Sequence, residues 1–456
     1  MSMTKTVAIL GAGPVGLAAA AQVLERQLIP LILEQGQAAG HAVRGWAHVP
    51  MFSNWRYNLD AAATRRLAAL GWVPPDPEAY PTGADLVAGY IDPLAHSLQP
   101  WLQTGQRVVA ISRDGVDKIK DAGRAAAPFV IETDGPVGRQ FHRADAVIDA
   151  TGTWFQPNPG GAGRPVPGEV GQAGLSYGMP DVAGVARQRF AGRQVAVLGG
   201  GHSAVGTLIA LAGLPGPAPV WLCRADSVTR ALGGGAADQL AARGALGVDI
   251  ARLLAGGRIR LEAGFRLAAI EGQAPLVAVA ADGRRVAAEE LIVATGFRPD
   301  LSILRELRVA LDPALECPPA LAPLIDPNLH ACGTVRPHGA AELAHPEPGF
   351  YIAGMKSYGR APTFLLATGH EQVRSIVAAI AGDHQAAARV ELELPETGVC
   401  NGPGVAAVAA GSACCGGPAK AERTACCAAD EAAKAVEAAG CGCEGSKERT
   451  SASTCC

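Results

Sequence analysis

Two stretches of the chain combine a short apolar run, a glycine-rich turn and a helix of small residues. In the first stretch, residues 7–10 (VAIL) have the pattern of a buried strand and residues 11–16 (GAGPVG) that of a tight turn. An apolar helix is then predicted over residues 17–24, and a second strand, 31–33, ends at Glu34. This order predicts a βαβ unit with parallel strands.

The second stretch repeats the same order nearly two hundred residues later. The apolar run 195–198 (VAVL) precedes the turn 199–204 (GGGHSA), and an apolar helix begins at Val205. The next strand, 220–223, ends at Arg224. The chain therefore contains two predicted units of the Rossmann type.

The remaining pattern places these units in a larger α/β fold. We predict helices over residues 60–70 and 85–98, a β-hairpin region over 107–131, a Gly- and Pro-rich linker over 158–178, strands near 259–261, 276–279, 291–293 and 350–353, and a helix over 362–381. The predicted domains are a first dinucleotide-binding domain in two segments (1–170 and 299–390), a second one inserted between them (171–298), and a Cys-rich tail (391–456) that we expect to be flexible.

Composition and charge narrow the class of protein. Hydrophobic residues make up 49% of the 456 residues and charged residues 18%, which indicates a globular chain. A net charge of -3 provides no basic patch, so we expect no nucleic-acid partner. No apolar stretch is long enough to span a membrane and no leader pattern precedes the first strand, so we expect a cytoplasmic protein. The oligomeric state is not readable, and a homodimer is among the alternatives.

The first glycine turn has the spacing of a dinucleotide-binding fingerprint. Gly11 permits the tight turn, Gly13 lets the backbone approach a pyrophosphate, and Gly16 lets the helix pack closely on the strand. The helix N-terminus offers free N–H groups to the phosphates, and Glu34 is expected to accept hydrogen bonds from a ribose diol. We expect further contacts to this nucleotide from Ala12, Pro14, Val15, Gln35, Trp46, Ser53, Val108, Thr151, Gly152 and Gly354.

The second turn follows the G-x-G-x-x-A variant of the fingerprint, in which an acidic residue normally reads the 2′-hydroxyl of the ribose. Arg224 stands at that position, and a guanidinium suits a 2′-phosphate. Arg230 adds a second cation, so we predict NADPH rather than NADH; the alternative is that Arg224 only projects into solvent. The expected contacts to this nucleotide are Gly199, Gly201, His202, Ser203, Ala204, Thr295 and Gly296.

Residues 147–152 (VIDATG) and 291–300 (LIVATGFRPD) add two further strand-to-turn motifs. Over residues 5–385, the four motifs in this order resemble those of two-dinucleotide-binding-domain flavoproteins. The resemblance implies FAD at the first glycine turn, NADPH at the second, and ATG segments that link the two domains.

Three segments resemble a narrower group, the class B flavin-dependent monooxygenases and related flavoproteins found beside cation-export genes. The segments are residues 46–53 (WAHVPMFS), 150–159 (ATGTWFQPNP) and 190–195 (FAGRQV). Together with the cysteine pairs of the tail described below, the chain resembles in particular the flavin monooxygenases of bacterial arsenic-resistance operons. The resemblance implies that reduced flavin reacts with molecular oxygen and oxygenates a small nucleophilic substrate. Asn54 and Arg56, which follow the flavin-side segment, are our catalytic candidates, and a surface role is the alternative for Arg56.

The chain departs from the monooxygenase pattern in two places. The histidine of the monooxygenase fingerprint is missing around residues 167–177, and Met355 stands where many relatives carry Asp. These departures bear on monooxygenase activity and leave cofactor binding untouched.

Nine of the twelve cysteines follow residue 399. Neighbouring thiolates suit soft, thiophilic ions, so we predict metal or metalloid ligands in this tail and a metal(loid)-thiol among the candidate substrates. The alternatives are a dithiol that carries electrons from the flavin, a sequestration protein without turnover, and a low-complexity tail without a function. The predicted ligands are Cys414, Cys415, Cys426, Cys427, Cys441, Cys443, Cys455 and Cys456.

Overall fold

The structure is a computed structural model that describes residues 4–229, 232, 241–329, 337–362 and 364–392. All of these belong to one compact unit, Met1–Gly402. The predicted phosphate ligand Arg230 and every cysteine of the tail lie outside the described residues.

The strands of the described residues include the predicted ones and several others that the sequence did not predict. They are β1 (Thr6–Leu10), β2 (Ile29–Leu33), β3 (Leu102–Gln103), β4 (Arg107–Arg113), β5 (Phe129–Gly135), β6 (Gly138–Ala144), β7 (Ala146–Asp149), β8 (Leu175–Tyr177), β9 (Val195–Leu198), β10 (Val220–Leu222), β11 (Arg260–Glu262), β12 (Leu267–Glu271), β13 (Leu276–Ala280), β14 (Arg285–Ala288), β15 (Glu290–Val293) and β16 (Phe350–Ile352).

The helices of the same residues connect and cover these strands. They are α1 (Pro14–Glu25), α2 (His41–Arg44), α3 (Ala61–Ala68), α4 (Gly83–Leu86), α5 (Asp92–Ser97), α6 (Arg187–Phe190), α7 (His202–Ala212), α8 (Ala241–Ala255), α9 (Ala322–Ile325), α10 (Leu366–Ala381) and α11 (His384–Ala388). No helix of the described residues is long and apolar enough to cross a membrane.

Two parallel five-stranded sheets, counted within the described ranges, form the framework. The first has the order β16-β7-β1-β2-β3 and the second the order β11-β10-β9-β15-β8. Their central strands are buried along their length, as parallel strands covered on both faces must be. The predicted α/β class with two Rossmann-like domains is confirmed.

The helix after the first glycine turn packs closely because much of its buried face is made of small residues. In α1, positions 18–21 are four consecutive alanines that are at most 1% exposed, and the helix contacts α3 and α10. Small side chains let the backbones of these elements approach. Helix α7 also follows its glycine turn directly, but its buried face combines Ala204 with the larger Val205, Leu208 and Leu211.

Two antiparallel sheets complete the described fold. The β-hairpin region predicted over residues 107–131 is a three-stranded sheet, β4-β5-β6, that continues to Ala144. Strands β12-β13-β14 form a second such sheet directly before β15. Both lie on the chain between a glycine turn and the strand that carries the ATG motif of the same sheet.

The predicted linker over residues 158–178 is more structured than expected. It contains β8, which pairs with β15, and a loop organised around the buried carboxylate of Glu169. This carboxylate accepts hydrogen bonds from the backbone N–H groups of Gly160 and Val166 and from the hydroxyl of Tyr177. Neither a three-residue strand nor a loop held by one side chain leaves a hydrophobic period in the sequence.

The helix predicted over residues 85–98 is instead divided into three parts. Helix α4 ends at Leu86, a π-helical turn spans Val87–Ile91, and α5 begins at Asp92. Because Pro93 has no backbone N–H, it cannot continue a regular ladder of helical hydrogen bonds, which accounts for the change of winding before it.

Candidate functional site

A single cavity of about 1740 Å³ opens along the carboxyl ends of both parallel sheets. Pockets for one small ligand typically measure about 300–1,000 Å³, so this volume leaves room for more than one. Ligands of open α/β sheets bind at this edge of the strands. The cavity is lined by both glycine turns, both ATG motifs and the segment 48–53.

Each glycine of the first turn is required for a different physical reason. Gly11 has φ +93°, and a Cβ atom there would lie 2.9 Å from the carbonyl oxygen of Ala150. A Cβ atom on Gly16 would lie 2.0 Å from the carbonyl oxygen of Gly11, so helix and turn touch here. Gly13 differs from both, because a Cβ atom there would meet nothing within 4 Å. The missing side chain leaves an open space above the start of α1, which we call a cradle.

The second turn repeats this geometry. Gly199 has φ +153°, and a Cβ atom there would lie 2.2 Å from the carbonyl oxygen of Ala294. Gly201, which lines the cavity, again has nothing within 4 Å of an added Cβ atom. Gly13 and Gly201 are the N-caps of α1 and α7 and provide no side-chain cap, so the backbone N–H groups of each first turn, apart from Pro14, which has none, face the two cradles. Both turns therefore fit a pyrophosphate.

Glu34 connects the first turn to the end of β2. Its buried carboxylate accepts hydrogen bonds from the backbone N–H groups of Ala12, at 2.7 Å, and Gly36, at 2.8 Å. Each carboxylate oxygen has a second lone pair, and Glu34 lines the cavity. This arrangement fits a residue that holds the glycine turn and reads a ribose diol.

The segment that follows the first ATG motif pairs with the second ATG motif and the residues after it. The backbone N–H of Asn158 donates to the carbonyl of Gly296 at 2.8 Å, and the hydroxyl of Thr295 donates to the carbonyl of Asn158 at 2.8 Å. Pro157 and Phe297 form an antiparallel bridge, and Phe297 stacks on Trp154 with ring centroids 5.0 Å apart. The segments that cross between the two sheets are thus held side by side.

A second contact spans the cavity itself. Phe52 of the segment 48–53 lies against His202, the first residue of α7, with ring centroids 5.4 Å apart. Both residues line the cavity. The segment 48–53, which forms the wall beside the first glycine turn, therefore contacts the N-terminus of α7.

Most residues predicted to contact the nucleotides line this cavity. Ala12, Gly16 and Ala204 are exceptions, and they lie behind it as packing residues of the two turns. Those that line it at the first turn are Gly11, Gly13, Pro14, Val15, Glu34, Gln35, Trp46, Ser53, Val108, Thr151, Gly152 and Gly354. Those that line it at the second are Gly199, Gly201, His202, Ser203, Arg224, Thr295 and Gly296.

The two catalytic candidates do not line the cavity. The guanidinium of Arg56 forms an exposed ion pair with Glu78, and the amide of Asn54 donates to the same carboxylate at 3.2 Å. Asn54 follows the cavity residue Ser53 and precedes the short 3₁₀ turn Trp55–Tyr57. Catalytic roles for Asn54 and Arg56 stay predictions, and the proposal below does not use them.

Several cavity residues were missed by the sequence analysis. Met179, Asp181 and Lys356 belong to none of the segments quoted above; the first two lie on a loop and Lys356 on the short helical turn Gly354–Tyr358. Phe155 and Asn158 had a detectable signal, since both lie in the segment 150–159 that carries the monooxygenase resemblance.

Comparison with known proteins identifies the family. The sequence profile of the pyridine nucleotide-disulphide oxidoreductases matches residues 8–318, which include both glycine turns and both ATG motifs. The chain belongs to this family. No curated protein sequence matches it significantly.

Solved structures agree with this membership at the level of the fold. A bacillithiol disulfide reductase from Bacillus cereus is 20% identical with a TM-score of 0.60, covering 83% of this chain and 99% of its own. A mutant flavin monooxygenase from Stenotrophomonas maltophilia is 22% identical with a TM-score of 0.54, covering 83% and 98%. Thioredoxin reductase from T. acidophilum is 18% identical with a TM-score of 0.53, again covering 83% and 98%.

These findings confirm the class of enzyme. This pyridine nucleotide-disulphide oxidoreductase is an FAD-dependent NAD(P)H oxidoreductase, and the cofactor pair expected from its sequence, FAD and NADPH, agrees with the family. The two cradles supply one pyrophosphate site for each dinucleotide.

Gly13, which borders open space, and Gly16, which contacts a carbonyl oxygen, predict different effects of substitution. Gly13→Ala should speed the release of FAD from the full-length holoenzyme by at least about tenfold, because its methyl group enters the cradle, and leave thermal stability nearly unchanged. Gly16→Ala should lower thermal stability, because its methyl group meets a carbonyl oxygen. FAD fluorescence on release and circular dichroism measure the two effects. Equal loss of stability in both variants would contradict this division.

The position of Arg224 predicts that the enzyme prefers NADPH to NADH. This residue is exposed at the cavity edge and forms no ion pair with any described residue, so its guanidinium is available to a 2′-phosphate. Arg224→Ala should reduce the ratio of kcat/KM for NADPH to that for NADH by about 10- to 100-fold, the value of one or two charge-assisted hydrogen bonds. Arg252→Ala, an exposed arginine of the same domain paired with Asp249, is the matched control. An unchanged ratio in Arg224→Ala would contradict the assignment.

Proposed function

We propose that this enzyme is an NADPH-dependent flavin monooxygenase that passes electrons from reduced FAD to molecular oxygen. The observation that carries the proposal is the placement of the thiols. Enzymes that reduce a disulfide through their own dithiol need two cysteines beside the flavin. The described residues contain two cysteines, Cys223 and Cys317, and these lie in different hydrophobic cores.

Neither thiol is suited to that task. Cys317 is fully buried, and its burial raises the pKa of the thiol to about 12, so it is not a nucleophile at neutral pH. Cys223 follows β10, next to Arg224, at the end of the cavity where NADPH is expected. A flavin at the first turn therefore has no dithiol beside it in the part of the chain that the structure describes.

The walls between the two turns support an apolar or soft substrate. They carry Met51, Phe52, Met179 and two ring pairs, His41 with Phe155 and Trp154 with Phe297. Such a lining restricts water around the reacting atoms and favours polarizable groups such as a thioether.

The residues of this chain bind, orient and enclose, and the redox chemistry is supplied by the cofactors. FAD, when bound, would supply the hydride acceptor for NADPH and the carrier for the onward electrons. Glu34 and the two cradles would hold the dinucleotides, and the paired crossing segments would keep both in one cavity. In balance, NADPH, a proton, oxygen and the substrate give NADP⁺, water and the oxygenated substrate.

We further propose that the enzyme acts in metal(loid) resistance. The tail cysteines, among them Cys414, Cys415, Cys426 and Cys427, lie outside the described residues, so only their sequence supports it. Clustered thiolates bind arsenite and other soft ions, which makes an arsenic- or metal-thiol adduct the substrate class that we favour.

A second candidate is a thiol or metal(loid) reductase that uses the tail cysteines as its dithiol. It is favoured by the family, whose name includes disulphide oxidoreduction, and by the similarity of the fold to bacillithiol disulfide reductase. Here the electrons would pass from reduced FAD to a tail disulfide rather than to oxygen.

Product analysis separates the two candidates. The full-length enzyme is incubated with NADPH, isotopically labelled oxygen gas and thioanisole, and in parallel without oxygen with a disulfide such as DTNB or with arsenite. A monooxygenase should incorporate one labelled oxygen atom into the sulfoxide per NADPH oxidised. Oxygen-independent NADPH oxidation with DTNB or arsenite, abolished when Cys414, Cys415, Cys426 and Cys427 are all replaced by Ser, would instead establish the reductase.

A further inference from the structure

A fully buried ion pair lies at the wall of the cavity, beside the first glycine turn. Lys356 belongs to the short helical turn Gly354–Tyr358 that follows β16. Its ammonium donates hydrogen bonds to Asp149 Oδ2 at 2.6 Å and to the hydroxyl oxygen of Thr151 at 3.0 Å. The side chains of Lys356 and Asp149 are both 0% exposed.

The three side chains form a closed ring of hydrogen bonds. Asp149 is the last residue of β7, and its Oδ1 accepts from the hydroxyl of Thr151 at 2.7 Å and from the backbone N–H of Thr151 at 3.2 Å. The Thr151 hydroxyl thus donates to Asp149 and accepts from Lys356. Its position is fixed from both sides.

This ring connects two turns that line the cavity. Strands β7 and β16 are neighbours, with Asp149 paired to Ile352. The turn after β7 presents Thr151 and Gly152, and the turn after β16 presents Gly354. Lys356 therefore connects the two strand ends beside the first glycine turn, where FAD is expected to bind.

The stability of the fold does not by itself explain why the chain buries such an ion pair. Two charges removed from water carry a large desolvation cost, and replacing a buried ion pair by apolar residues of similar size is often neutral or stabilising. Apolar side chains would pack between β7 and β16 as well, but they would not hold the Thr151 hydroxyl in one orientation.

We propose that the Lys356–Asp149 pair is a positioning device for FAD, which holds the turns of Thr151 and Gly354 at the spacing and orientation that the cofactor needs. The pair acts through Thr151, because the side chains of Lys356 and Asp149 are themselves fully buried. The inference rests on FAD at the first glycine turn and is independent of whether oxygen or a disulfide accepts the electrons.

The test separates cofactor positioning from folding by a double substitution. Lys356→Met leaves Asp149 buried without its partner and should lower stability and speed FAD release. Lys356→Met combined with Asp149→Leu removes both charges and should restore the midpoint of thermal unfolding, measured in excess FAD, to within about 5 °C of the wild type. Its FAD release from the full-length holoenzyme should remain at least about tenfold faster.

Two further variants sharpen the result. Thr151→Val keeps the shape of the side chain but loses its hydroxyl, and it should also speed FAD release. Arg113→Met breaks another buried ion pair, with Glu347, that does not line the cavity. It should lower stability while FAD release stays at the wild-type rate.

Three outcomes would overturn the proposal. The first is wild-type FAD release in the double variant, and the second is wild-type release in Thr151→Val. The third is failure of both Lys356 variants to fold, which would make the pair a requirement of folding and not a device for positioning the cofactor.

Discussion

The antiparallel contact between residues 156–158 and 296–298 is the interaction on which the arrangement of the site depends. Each segment leaves its own parallel sheet directly after an ATG motif, and the two are joined by backbone hydrogen bonds, a β-bridge and the stacking of Trp154 on Phe297. Because both strand ends are tied together here, the two glycine turns open into one cavity. Hydride transfer between two dinucleotides requires such a shared space.

Behind each turn, the structure uses the same close approach twice. The carbonyl oxygens of Ala150 and Ala294 lie 2.9 and 2.2 Å from where Cβ atoms of Gly11 and Gly199 would be, so each ATG motif is packed against the first glycine of its own sheet. The resemblance implies that these motifs link the two domains. In the structure both motifs pack behind the nucleotide turns, and Thr295 and Gly296 of the second motif also bond to Asn158, which follows the first motif.

The fold was largely predictable because its signals are local. A run such as residues 7–10, a turn with glycines at fixed spacing and a helix of small residues each follow from backbone geometry, and together they define a βαβ unit. Strand β8 and the Glu169 loop were missed, since their structure depends on partners distant in sequence, as in the pairing of β8 with β15.

The same distinction applies to the site. Glycines and the acid at the end of β2 could be assigned from spacing alone, whereas Phe52 and Lys356 gain their meaning from contacts across the fold. Asn54 and Arg56 were proposed from their proximity in sequence to the segment 46–53. In the structure both side chains contact Glu78 at the 3₁₀ turn Trp55–Tyr57, a contact that proximity to the segment 46–53 does not predict.

The central claim is that FAD and NADPH occupy one cavity in contact with each other. Anaerobic titration of the full-length, FAD-loaded enzyme with NADPH tests it most directly, with the flavin absorbance as the readout. We predict that one equivalent of NADPH bleaches the flavin completely and that admission of oxygen restores the oxidised spectrum. A flavin that stays oxidised in excess NADPH, while chemical reductants still bleach it, would contradict the account.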